Sequence, residues 1–161
     1  MYYFNVFFIY SIIGFIFETL FIKGVFESGI LFGPWTPVYG IGAVVIILIY
    51  KFLDKNVKGK IWRGILLFFL SALILTGLEW LGGVLIETIF NKVYWSYENM
   101  RFNFGHYIAL EVSIIWGILS IILIYLIKPL FDKLIKKIPK WITYILLTMF
   151  LIDLFLTLII K

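Results

Sequence analysis

The chain has 161 residues, of which 63% are hydrophobic and only 14% charged, and no soluble fold of that length could bury so much apolar surface. Fourteen basic and nine acidic residues leave a net charge of +5. The absence of cysteine excludes disulfides, thiol catalysis and cysteine-ligated zinc.

Several apolar runs approach the roughly 20 residues that a helix needs to cross a bilayer, and they lack the period-two alternation of a membrane strand. The expected architecture is therefore all-α: a polytopic integral membrane bundle of about five transmembrane helices, read as a single domain over residues 1–161. The first span is placed at about Phe4–Ile22. Met1–Phe8 carries no positive charge and no small-residue cleavage site follows, so this span is expected to be retained.

The second span, about Val38–Leu53, is short and follows Gly33-Pro34-Trp35-Thr36-Pro37. That stretch cannot begin as ordinary helix, so it either dips back into the membrane as a re-entrant entrance or makes a tight surface turn. Gly33, Pro34, Trp35, Pro37 and Tyr39 are its candidate shaping residues, Gly33 because glycine permits backbone that other residues avoid. The third span, about Ile61–Phe90, would measure roughly 45 Å as continuous helix and is expected to tilt, protrude or bend near Gly82 and Gly83, where a break is one form the bend could take. The fourth is placed at about His106–Ile127 and the fifth at Trp141–Ile160. Between them, Leu130, Phe131, Leu134, Ile135 and Ile138 share one helical face opposite Asp132, Lys133, Lys136 and Lys137, the pattern of a short amphipathic helix in the membrane interface.

Basic residues set the expected orientation. Lys51, Lys55, Lys58, Lys60 and Arg63 fall in one connection and Lys128, Lys133, Lys136, Lys137 and Lys140 in another, leaving Lys23, Lys92, Arg101 and Lys161 opposite. The positive-inside rule then puts the N-terminus in the cytoplasm. The basic balance is explained by topology and anionic lipid, so membrane lipids rather than nucleic acid are the expected partners.

The acids carry the functional signal, because a carboxylate inside a span must be protonated, paired or wet. Glu18, Glu79, Glu87 and Glu111 fall at similar depth in three spans, and together they suggest an acidic cavity opening outward. Taken singly, each could equally tie two helices or reach headgroup water. Asp153 stands alone in the last span, where inter-helix bonding or an oligomer contact explains it as well as function does. The connection Tyr94–His106 is too aromatic for a solvated loop and is expected to cap the cavity, with Trp95 and Tyr97 as its lid. Arg101 is the expected counter-ion for a buried Glu. Asn103 and His106 are further polar candidates, His106 as a proton relay or as an ordinary hydrogen-bonding residue.

Five segments in order, Gly14-Phe15-Ile16-Phe17-Glu18, Gly29 to Gly40, Glu79 with Glu87, Trp95-Ser96-Tyr97 with Phe102-Asn103-Phe104-Gly105, and Ser113 to Gly117, resemble the bacterial Putative ABC-transporter type IV family, the CmpB-like permeases. The resemblance spans about Phe4–Pro129 and leaves the last span, 141–160, outside. Phe15 stands where the family usually has Trp and Ser96 where it usually has Asp, which removes one carboxylate from the lid. The resemblance implies a bacterial plasma-membrane transport component, working as a homo-oligomer or with a separate ATPase subunit, that binds a polar or amphiphilic solute. No Gly-rich phosphate loop is present to hydrolyse ATP in this chain, and no metal or cofactor is implied. A membrane-embedded enzyme acting on a lipid-linked substrate is the alternative, with a Glu as base and Arg101, Asn103 or His106 stabilising charge. No catalytic residue set with recognisable spacing supports it.

Overall fold

The computed structural model describes residues 1–23 and 30–161, with backbone alone for residues 21–23. Gly29 of the family-like motif and the side chain of Lys23 lie outside the described residues. Among these residues, five helices are long and apolar enough to cross a membrane: Tyr2–Leu20, Pro37–Asn56, Lys60–Phe90, Leu110–Lys137 and Lys140–Ile160. The chain divides into two compact units, Met1–Val44 with Pro129–Lys161, and Val45–Lys128.

In the first unit, α1 (Tyr2–Phe17) continues as a π-helical turn over Glu18–Lys23, and α2 begins at Pro37 and runs to Asn56. Proline is suited to that first position, where its missing N–H costs no helical bond. The unit closes with α5 (Lys128–Lys137) and α6 (Lys140–Ile160). Its core is Phe8, Leu31 and Trp35, packed by Phe7, Ile12 and Phe150 among others. Buried polar ties join the helices: Thr143 donates to the Asn5 side chain at 2.5 Å, and Asn5 donates to the Ile135 carbonyl at 3.3 Å. Tyr39 lies against Gly14, and Gly40 against Ser11 and the Phe7 carbonyl, so α1 and the start of α2 meet where neither glycine has room for a Cβ.

The second unit is built on α3 (Lys60–Phe90) and α4 (Leu110–Ile122). The helix α3 is unbroken, so no interruption occurs at Gly82–Gly83. Its buried residues Leu67, Ser71, Leu75, Glu79 and Gly83 recur every four positions and form one stripe. Against that side Gly117 of α4 receives the Phe68 ring, and Thr76 donates to Ser113 at 2.8 Å. The fourth span begins at Leu110 rather than His106, because β1 (Asn103–Phe104) pairs antiparallel with β2 (Ile108–Ala109) around Gly105 at φ +67°. The hairpin takes up the backbone that a helix would have used.

The amphipathic segment forms the helix that its pattern predicts. It continues the helical run of Leu110–Lys137 through a π-helical stretch at Leu123–Ile127. Pro129 lacks an N–H and crowds the carbonyl of the preceding turn, and the wider π turn relieves that conflict without ending the helix. Lys133, Lys136 and Lys137 of its predicted polar face are exposed. Leu130 and Leu134 are exposed while Ile135 is buried, and Asp132 faces inward, accepting from Tyr2 Oη at 2.6 Å and pairing with Lys136 at 2.7 Å.

Candidate functional site

Glu79 is 8% exposed on the α3 stripe. Its carboxylate accepts a hydrogen bond from Trp116 Nε1 of α4 at 2.8 Å and from Tyr97 Oη of the α3–α4 connection at 2.5 Å. Two aromatic donors thus offset the cost of a carboxylate within an apolar helix. One turn on, the Tyr107 ring lies flat against Gly83, where an added Cβ would meet it at 2.5 Å. A further turn on, Tyr107 donates to Glu87 at 3.0 Å. Burial, and then the hydrogen bond to Glu87, push the Tyr107 hydroxyl above the usual tyrosine pKa of 10.0, so it remains a donor through neutral pH. Glu79, Gly83 and Glu87 therefore present one face to Tyr97, Trp116 and Tyr107.

The connection that supplies these tyrosines is tied down at several points. Tyr97 N–H donates to the His106 carbonyl at 2.7 Å, and Leu110 N–H to that of Phe102 at 3.0 Å. Trp95 stacks edge-on against Tyr107 at 5.4 Å. At the base of α4, Glu111 accepts from the Phe102 N–H at 3.2 Å, and among the described residues its other carboxylate oxygen is buried without a partner.

The polar candidates of the connection take different partners from those expected. Arg101 is exposed, with its guanidinium over the Phe102 ring at 5.4 Å, and among the described residues it pairs with no Glu. An arginine there keeps its hydration while stacking its planar face, which costs less than entering the apolar stripe. His106 pairs with Glu98 at 3.3 Å and approaches Ser96 Oγ at 3.4 Å, rather than reaching Glu111. Glu98 thus supplies a carboxylate beside Ser96, in the part of the lid where the family resemblance implied one was lost. Asn103 is exposed in β1. Glu18, half-buried at the start of the π turn, belongs to the first unit.

The first unit holds a site that sequence reasoning undervalued. Asp153, 8% exposed in α6, accepts from the Phe32 N–H at 3.0 Å and, through its second oxygen, from the Gly33 N–H and Trp35 Nε1 at 2.8 Å each. The entrance segment therefore packs against α6 about two turns, roughly 10 Å, inside that helix's C-terminal end. Backbone at that depth needs internal partners, and the carboxylate supplies them. Gly33 has no positive φ. It is required for closeness instead, since a Cβ there would strike Trp35 Nε1 and lie 2.8 Å from the Asp153 carboxylate. The available signal was the coincidence of a lone acid in a span with a donor-rich Gly-Pro-Trp turn elsewhere in the chain.

Five long apolar helices, carboxylates buried among them and a turn held inside a helix face define a multi-pass helical membrane protein. The chain belongs to the Putative ABC-transporter type IV family, whose model matches residues 5–160. That match includes α6 and with it Asp153, so the family region does not stop near Pro129. No curated protein and no solved structure matches the chain.

Proposed function

We propose that this protein is a bacterial plasma-membrane transport component in which Glu79 recognises the positive charge of a polar or amphiphilic solute. Glu87 and Glu111 complete an acidic site in this reading, and Tyr97 and Trp95 close it. The observation that carries the reading is the buried Glu79 carboxylate held by Tyr97, a residue of a connecting loop, and by Trp116, a residue of a helix. A donor on a loop can be exchanged for a solute cation while the helix donor stays, and the carboxylate is never left unpaired. Energy comes from a separate ATPase subunit or from proton exchange at the acids.

The test is binding of organic cations, from tetramethylammonium to long-chain alkyltrimethylammonium, to the purified protein. A saturable rise in thermal stability is expected in the wild type and not in Glu79→Gln, which retains the shape of the site. Equal stabilisation of both proteins, or none by any cation, refutes the reading.

The N-terminus is proposed to be cytoplasmic. The chain has no native cysteine, so single cysteines at Lys58, Lys136 and Asn99 report orientation directly. An impermeant reagent added to intact cells should label only the one at Asn99, and labelling at Lys58 reverses the assignment.

A further inference from the structure

A second feature of the Val45–Lys128 unit lies away from Glu79. Near the N-terminal end of α3, an open groove of about 480 Å³ runs along Ile61, Gly64, Ile65 and Phe69 and is bounded by Tyr125. That volume falls within the roughly 300–1,000 Å³ of ligand sites. The lining is apolar, Ile61 is 78% and Phe69 64% exposed, and a Cβ added to Gly64 would meet nothing within 4 Å.

The mouth differs from the floor. Lys60 sits there with its ammonium 5.2 Å from the centre of the Tyr125 ring. The neighbouring Arg63 is engaged by Asp54, whereas among the described residues Lys60 pairs with no carboxylate. Tyr125 is carried by the π-helical stretch Leu123–Ile127, an irregularity frequent at functional sites. It also stacks edge-on against Tyr50 at 5.8 Å, and the paired rings make a firm wall.

We propose that this groove binds the acyl chain of an anionic phospholipid, with Lys60 holding the headgroup phosphate. An apolar trough on a membrane-spanning helix matches hydrocarbon, and a cation at one end selects the charge of the molecule that fills it. Tyr125 beneath the ammonium fixes its position by attraction to the ring face.

The experiment is native mass spectrometry of the detergent-purified full chain titrated with phosphatidylglycerol and phosphatidylcholine of identical acyl composition. Wild type should prefer phosphatidylglycerol about five-fold, the ratio that about 1 kcal/mol per lysine at an anionic surface corresponds to. Lys60→Gln should bring the two lipids to parity, whereas Lys58→Gln, which removes a charge of the same basic run outside the groove, should keep the preference. Gly64→Leu fills the trough and should weaken retention of both lipids. Equal effects of Lys60→Gln and Lys58→Gln overturn the proposal, as does wild-type lipid retention by Gly64→Leu. A Gly64→Leu protein that changes its dimer fraction but not its lipid binding would assign the groove to a second copy of the chain and equally overturn it.

Discussion

Replacing Asp153 by alanine should be among the most damaging single changes in the last helix, although no charge partner is lost. The carboxylate accepts from the Phe32 and Gly33 N–H groups and from Trp35 Nε1. Alanine strands all three donors, and at about 1 kcal/mol or more for each buried donor left unpaired the loss comes to about 3 kcal/mol. Asparagine should do little better than alanine. It keeps one acceptor oxygen but turns an N–H₂ group toward donors, so at least one bond becomes a donor–donor contact and about 2 kcal/mol is lost. Equilibrium unfolding in mixed micelles measures both, with Thr157→Ala as control, because the Thr157 hydroxyl stands 3.4 Å from the same carboxylate and contributes little. A double-mutant cycle with Trp35→Phe, which removes the indole N–H and keeps a ring, should give a coupling of about 0.5–3 kcal/mol. An Asp153→Ala protein within about 0.5 kcal/mol of wild type, or zero coupling to Trp35, would show that the carboxylate does not hold the turn.

Gly33→Ala, the smallest possible change there, should destabilise the same turn by about 1–3 kcal/mol, because the new methyl enters the space between Trp35 and Asp153; thermal unfolding at wild-type temperature contradicts this. Gly83→Ala should displace the Tyr107 ring and cost a similar amount, while Gly82→Ala, with nothing within 4 Å of its Cβ, should be neutral or slightly stabilising. For Tyr107 the raised hydroxyl pKa fixes a sign. The neutral form is favoured in the folded state, so its contribution is complete below the unfolded value near 10 and fades as pH rises through the folded value. Tyr107→Phe should flatten that alkaline loss in a pH series of melting temperatures, and an unchanged alkaline limb argues against the bond to Glu87. At Glu79, Gln should preserve stability better than Ala, because the amide still accepts from Trp116 and donates to a turned Tyr97 hydroxyl.

The number and nature of the spans were legible in the chain itself, because hydrocarbon thickness and the need to satisfy every backbone group leave few structures for runs this long and apolar. The distribution of Lys and Arg among the connections predicted an orientation by a separate rule, that basic loops stay in the cytoplasm. The placement of Glu79 and Glu87 on neighbouring faces, with Gly83 between them, follows from helix geometry alone. Which partners those side chains choose is a different kind of information. Trp116 and Tyr97 are 37 and 18 residues from Glu79, and Gly33 and Asp153 are separated by 120; no local pattern couples positions so far apart. The sequence marked Arg101 as a counter-ion for a buried acid and His106 as a proton relay or an ordinary hydrogen-bonding residue, and exposed positions let them keep water and nearer companions, Phe102 and Glu98. Asp153 looked solitary because its donors are mostly backbone N–H groups, which every residue but proline carries and which no sequence pattern singles out. Composition and hydropathy are enough to place this protein among lipids and to require that its intramembrane acids be protonated, paired or wet. Only the folded packing settles that the Asp153 carboxylate accepts from a turn and that of Glu79 from two aromatic donors, since long-range packing selects which donors come within 3 Å of each carboxylate.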